Sequence, residues 1–241
     1  MNEVLLDAEI GGIGRAVELG AAAEGADRQV WASAAEVLGE RAWAEGRVRG
    51  DWAAVQQADT IRLPLRVVAD DPLWYAELYL HDAFLMFNLA APGSLGGTVS
   101  IGGGGDFTLD QRVFEYAWAT GGARIEFIPL PRVAAWYDTL RVDPTRSAST
   151  PLTRALFHLL HVARSPEDEV LRIVRLAQAA EALGTGDRML FELRSAVVRP
   201  DAPVSHPTVD DNDRMLQRID IADAAMAAVV SALQKQIRGG G

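Results

Sequence analysis

The sequence predicts an α+β protein, with a mixed α/β N-terminal domain over residues 1–145 followed by an all-α four-helix bundle over 150–238. Three observations predict it. Thr60–Val68 alternates Ile61, Leu63, Leu65 and Val67 with Arg62, Pro64 and Arg66, the period of two of a half-buried strand. From Leu152 onward, apolar residues recur instead at spacings of three and four, the period of helices with one buried face. Between the two lies Arg141–Pro151, a polar stretch with two prolines and four Ser/Thr, which is the expected domain boundary.

Taken in order, Val4–Ile10 reads as a strand and Gly11–Gly14 as a turn that opens a helix. That glycine run lacks a third glycine and a βαβ frame, so it is not read as a phosphate loop. Val30, Ala34, Leu38 and Ala42 fall at helical spacing and predict a helix over Gln29–Glu45. Pro64 has no N–H to give a ladder, so the strand over Thr60–Val68 is expected at an edge or with a bulge. Asp70-Asp71-Pro72 supplies cap and first-turn residues for a core helix carrying Leu73, Ala76, Leu80, Phe84 and Phe87 on one face. His81, beside Asp82 on that helix, reads as a partly exposed structural histidine rather than a catalytic base. Pro92–Gly105 is loop apart from Val99–Ile101, and Gly102–Gly105 is a flexible tip without P-loop register. Arg124–Leu130 reads as a second strand and Val133–Leu140 as a short helix.

In the C-terminal part, Ser149 or Thr150 caps a helix whose first turn holds Pro151, with Leu152, Leu156, Leu159 or Leu160 and Ala163 on its apolar face. His158 and His161 lie three apart on it. With no accompanying carboxylate motif, they read as packing or rim residues rather than metal ligands. The next helix is expected over Glu167–Leu183, with Ser165 as N-cap, Pro166 in its first turn, and Gly184-Thr-Gly186 ending it. Its stripe is Val170, Val174, Ala177 and Glu181. A third helix runs from the cap Asp187 to about Arg199, where Pro200 stops it, and a long fourth one spans Asp213–Arg238.

Charge and composition narrow the functions available. Residues 1–150 carry 12 Arg against 21 Asp plus Glu, while 151–241 carry 11 Lys plus Arg against 12 acids, so nearly all of the net charge of -10 lies in the first part. An acidic surface repels phosphate backbones, and any RNA contact is expected to be local and on the helices. With no cysteine, disulfides, thiolate catalysis and sulfur-based zinc sites are excluded. The N-terminus lacks a signal-peptide pattern, and no apolar run approaches the roughly 18 residues of a membrane span, which predicts a soluble, cytoplasmic chain with no membrane association.

The stretch that carries chemistry is Leu190–Arg199, Leu-Phe-Glu-Leu-Arg-Ser-Ala-Val-Val-Arg, in which Arg194 sits inside an apolar helical run and requires a carboxylate or an anion. Arg194 on the third of four helices resembles the HEPN superfamily, most nearly its Apea-like branch, over about the last 90 residues. In that superfamily an arginine followed by four residues and a histidine cuts RNA without metal, at a site shared across a dimer. Here Arg199 stands at the histidine position. An arginine, with a pKa above 12, holds phosphate but does not move protons near neutrality.

The resemblance implies a HEPN-like protein with a degraded ribonuclease motif that acts by binding RNA or a protein partner. It also implies a homodimer, no cofactor, and a setting such as toxin–antitoxin or phage defence. RNA contacts would come from Arg194 and Arg199, with Glu181 and Glu192 as candidate carboxylate partners of Arg194. Two alternatives stand beside it. One is an active metal-independent endoribonuclease that uses Arg194 with His206 as catalytic pair, His206 folding back from the proline-rich loop. The other is a structural or interaction protein with no nucleic-acid role, its acidic N-terminal domain engaging a protein partner.

Overall fold

A computed structural model describes residues 3–11, 33–52, 60–101, 106–140, 148–164, 168–184 and 211–239. Strands β1 (Glu3–Gly11), β2 (Glu40–Trp43), β3 (Gly46–Gly50), β4 (Thr60–Ala69), β5 (Gly97–Ile101) and β6 (Asp106–Leu109) form one antiparallel sheet in the order β2-β3-β4-β1-β5-β6. Helices α1 (Pro72–Ala90), α2 (Arg112–Gly121), α3 (Leu130–Thr139), α4 (Pro151–Arg164), α5 (Glu169–Leu183) and α6 (Asp211–Gly239) complete the α+β architecture.

The long pair at the sheet centre, β1 and β4, follows its alternation. Leu63, Leu65 and Val67 are buried along with Ala8 and Ile10, while Arg62, Pro64, Arg66 and, at 71% exposure, Leu5 lie on the opposite face. The edge position expected from Pro64 is corrected, because β4 is an interior strand. The physical reason lies in register. Pro64 faces Asp7 of β1 and directs its carbonyl the other way, to the N–H of Asp51 at 3.0 Å, one residue past the end of β3. In an antiparallel ladder the N–H and C=O of a residue point to the same neighbour, so the missing donor falls where β3 has stopped.

The helix expected over Gln29–Glu45 is also corrected. Helix occupies 33–37, and 40–50 is instead a hairpin pairing Trp43 with Gly46 across a two-residue turn. Helical spacing of Ala34, Leu38 and Ala42 coexists there with the alternation Arg41, Trp43 against Ala42, Ala44, and strand pairing to β4 decides. The buried glycines of this hairpin let helix α1 approach. A Cβ on Gly50 would collide with the Tyr79 hydroxyl, which donates to the Leu38 carbonyl and accepts from Trp52 Nε1 at 2.5 Å.

Helix α1 begins as its sequence dictates, with Asp71 accepting from the Trp74 N–H at 3.1 Å and Pro72 in the first turn. From Tyr79 to Ala90 every residue is buried, the mark of a helix covered on all sides by sheet and other helices. Its end is closed by Asn88, whose amide donates to the Phe84 and Leu95 carbonyls and accepts from Gly93 N at 2.9 Å, Gly93 being at φ +88 where a side chain is strained.

Arg124–Leu130 is no strand. After a 3-10 turn at Gly122–Arg124, the extended chain runs beside helix α6, and buried Gln234 takes the place of a neighbouring strand. Its Oε1 accepts from Glu126 N at 3.0 Å, and its Nε2 donates to the carbonyls of Glu126 at 2.7 Å and Leu89 at 2.9 Å. Ile128 N reaches the Ala90 carbonyl at 2.8 Å, so these buried polar groups find partners without a ladder.

Helix α4 starts with Thr150 and Thr153 capping each other's backbone N–H, as expected for Thr150 before Pro151. Helix α5 is capped by Asp168, which accepts from Leu171 N at 2.8 Å, and ends at left-handed Gly184 as predicted; Ser165 and Pro166 lie outside the described residues. The expected stripe of α5 is corrected. Arg172, Ile173, Leu176, Ala179 and Ala180 are buried, and Val170 and Glu181 are exposed. Helix α4 packs on α5, α5 on α6, and α6 also on α2. Ala222, Met226, Val230, Leu233 and Ile237 form the buried stripe of α6, as their spacing predicts, and the buried side chains of both halves of the chain join in one cluster.

Candidate functional site

A cavity of about 1120 Å³ opens between β2, α1, α3 and α4. Its floor is an ionic network. Arg41 projects inward because β2 turns its odd-numbered residues toward the core, as β3 does its even-numbered ones, and there it meets Asp82 of α1 and Asp138 of α3. Arg41 Nη2 lies 3.4 Å from Asp82 Oδ2, Nη1 is bonded to Asp138, and the guanidinium lies 5.6 Å from the centre of the Tyr137 ring. Tyr137 donates its phenol hydrogen to Asp82 Oδ1 at 2.7 Å. Burial pushes the Asp82 carboxyl up to about 6, against the opposing pull of Arg41 and the Tyr137 hydrogen bond. The Tyr137 phenol is held well above its ordinary value by burial and by Asp82.

The wall beside this floor is lined with histidine. His81, one residue before Asp82, is only 7% exposed, which corrects the partly exposed position expected for it. Its Nε2 comes within 3.5 Å of Glu77 Oε1 without the alignment of a hydrogen bond, and Glu77 is instead engaged by Arg164 at 2.8 Å. Burial, followed by the nearby Arg164 and His161, lowers the His81 pKa to about 3, so the ring is neutral. From α4, residues 154, 158, 161 and 164 share a face and bring Arg154, His158, His161 and Arg164 to the cavity. Burial and the charge of Arg175 lead the lowering of His158 to about 4 and the downward shift of His161. Aromatic side chains complete the lining. Trp43 and Trp74 both lean on Tyr75, with ring centroids at 5.7 and 4.9 Å, and Phe157 is 47% exposed.

Comparison with models of known families, with curated proteins and with solved structures gives no match. The chemistry is therefore read from the side chains alone.

Of the residues singled out from the sequence, Glu181 sits exposed at the end of α5, while Glu192, Arg194, Arg199 and His206 lie outside the described residues. The arginine that enters the helical core among the described residues is Arg172, bonded to Asp223 of α6. His158 and His161 do line a cavity rim, yet among the described residues no group of three or more potential ligands is arranged to hold a metal ion. No helix among them is long and apolar enough to cross a membrane. Sequence reasoning missed Arg41, Asp82, Tyr137 and Asp138. The signal available was Asp82 itself, a carboxylate on a helix that is apolar all round and so in need of a buried partner.

The network binds its own charges. Arg41 pairs with both Asp82 and Asp138 and leaves one negative charge on that network, and Arg164 neutralises Glu77, so the groups outside these pairs are Arg154 and the three imidazoles, with Glu40 at the exposed rim.

Proposed function

We propose that the protein acts by binding RNA, as a HEPN-like protein whose ribonuclease motif is degraded. The observation that supports this reading is the face of α4, where Arg154, His158, His161 and Arg164 stand beside half-exposed Phe157 on the helical part that the resemblance covers. The guanidinium of Arg154 offers a contact for a phosphate, and the rings beside it offer faces on which bases stack, both of which single-stranded nucleic acid uses. In this reading α4, α5 and α6 belong to a four-helix HEPN-like bundle whose further helix carries Arg194. The protein is a cytoplasmic homodimer, and Arg194 and Arg199 add phosphate contacts. The resemblance brings with it a role in toxin–antitoxin or phage-defence systems.

The test is incubation of the purified protein with single-stranded RNA in chelator, wild type beside Arg194→Ala, His206→Ala and Arg154→Gln, with binding and cleavage followed together. Binding without cleavage, weakened at least ten-fold by Arg154→Gln and by Arg194→Ala, is the expected result. Cleavage abolished by both Arg194→Ala and His206→Ala would replace it with the active endoribonuclease. Absence of both binding and cleavage leaves the interaction protein, with a partner for the acidic N-terminal part.

A further inference from the structure

We infer that the cavity between β2, α1, α3 and α4 is a binding site for a small anion that carries a planar ring, a ring-bearing phosphate monoester of which a nucleoside monophosphate is the type. This goes beyond the RNA reading and does not depend on it. At about 1120 Å³ the cavity lies near the upper end of ordinary small-molecule sites, ample for a ring, a linker and a phosphate.

The anionic end is assigned by polar atoms that the fold leaves unsatisfied. His81 Nε2 and His158 Nδ1 are both buried and have no hydrogen-bond partner among the described residues, although both residues line the cavity. A buried imidazole nitrogen without a partner costs about 1–3 kcal/mol, and a ring rotation that brings it to a ligand oxygen in the cavity removes that cost. The charges facing these rings select the sign of the ligand. His81 faces Arg164 and His161 of α4 and Glu77 of its own helix; His158 faces Arg154 and His161 of α4 and Arg175 of α5. Glu77, the acid of that set, is held by Arg164, and Arg154 has no acidic partner among the described residues. An oxyanion is therefore favoured over a cation.

The ring end is assigned by Trp43 and Trp74, braced against Tyr75, and by Phe157, whose ring is packed 4.3 Å from His161 and remains half exposed. Such rings offer flat apolar faces close to the cationic face of α4. The side of the cavity formed by Arg41, Asp82, Asp138 and Tyr137 sets two carboxylates against one guanidinium, so it disfavours an anion there and leaves the oxyanion to the face of α4.

The experiment is calorimetric titration of the full chain with inorganic phosphate, phenyl phosphate and each of the four nucleoside 5′-monophosphates. Ring-bearing phosphates are expected to bind at least ten-fold tighter than inorganic phosphate. Exposed Arg154→Gln and half-buried His158→Gln are each expected to weaken them at least five-fold, and Trp43→Ala to reduce only the preference for a ring. Thermal melting establishes that each variant folds. A nucleoside monophosphate that outcompetes phenyl phosphate identifies the source as a nucleotide, and equal affinities identify a simpler ring phosphate; either result supports the site. No binding of any probe to the wild type, ring phosphates no tighter than inorganic phosphate, or affinities untouched by Arg154→Gln and His158→Gln in folded protein would overturn it. Loss of RNA binding with mononucleotide binding intact would sink the RNA reading alone.

Discussion

The side-chain amide of Gln234 holds both the N–H and the carbonyl of Glu126, at 3.0 and 2.7 Å, across 108 residues of sequence. Gln234→Leu would leave those two groups and the Leu89 carbonyl without their partner in the core. The expected loss is about 3 kcal/mol, at 1–3 kcal/mol for each group stranded away from water. Urea unfolding checks it, and Gln234→Glu, which accepts but cannot donate, should be at least as damaging. A loss below 1 kcal/mol in both variants would mean that the amide does not hold the segment.

Arg172 and Asp223 form the corresponding tie between α5 and α6, with both side chains largely buried. Arg172→Met strands a carboxylate and is expected to cost about 3 kcal/mol. The double variant Arg172→Met with Asp223→Leu should recover most of that loss, because no charge is then left alone. A double variant as unstable as the sum of the two single ones would show the pair to be uncoupled.

Asp82 gives stability a pH signature. Its carboxyl is raised from 3.8 to about 6, chiefly by burial, so the folded state binds the proton more tightly than the unfolded one. Its contribution is full below about 3.8 and is lost as the pH rises through about 6. His81 works the other way. Lowered from 6.5 to about 3, it contributes fully above 6.5 and loses that contribution as the pH falls toward 3. Asp82→Asn removes the first effect alone, so its stability relative to wild type should improve on the order of 3 kcal/mol between pH 4 and pH 7. Urea midpoints at four pH values check this, and a difference that stays constant with pH would refute it.

Gly50→Ala pushes a methyl group into the Tyr79 hydroxyl and is expected to destabilise by about 2 kcal/mol, the range of an overpacked core. The same change introduced into Tyr79→Phe should cost less, since the closest colliding atom is gone, although the ring carbon that bore it still sits within 2.9 Å of the new methyl group. Equal costs in both backgrounds, measured by thermal melting, would place the strain elsewhere.

Much of this architecture can be read from residue spacing where one period acts alone. Leu63, Leu65 and Val67 face the core as their alternation requires, and α6 buries Ala222, Met226, Val230 and Leu233 as theirs does. Reading fails where two periods overlap or where a distant side chain replaces a local pattern. Ala34, Leu38 and Ala42 suit a helix, yet 40–43 pairs with β3, which in turn pairs with β4. Arg124–Leu130 has a strand's composition, but its pairing partner is Gln234, which no local window contains. The cavity was hidden for the same reason: Arg41, Asp82, Asp138 and His158 lie far apart in sequence and meet only when β2, α1, α3 and α4 assemble.

Pro64 also bears on how the molecule avoids its own kind. At the point where β3 ends, β4 presents an oxygen already taken by Asp51 and a ring in place of a hydrogen. A strand from another chain that tried to continue the line of β3 would find nothing to accept there and a bulky pyrrolidine in its path. A residue that weakens the sheet by one bond thereby guards the centre of that sheet against being prised open by a stray segment.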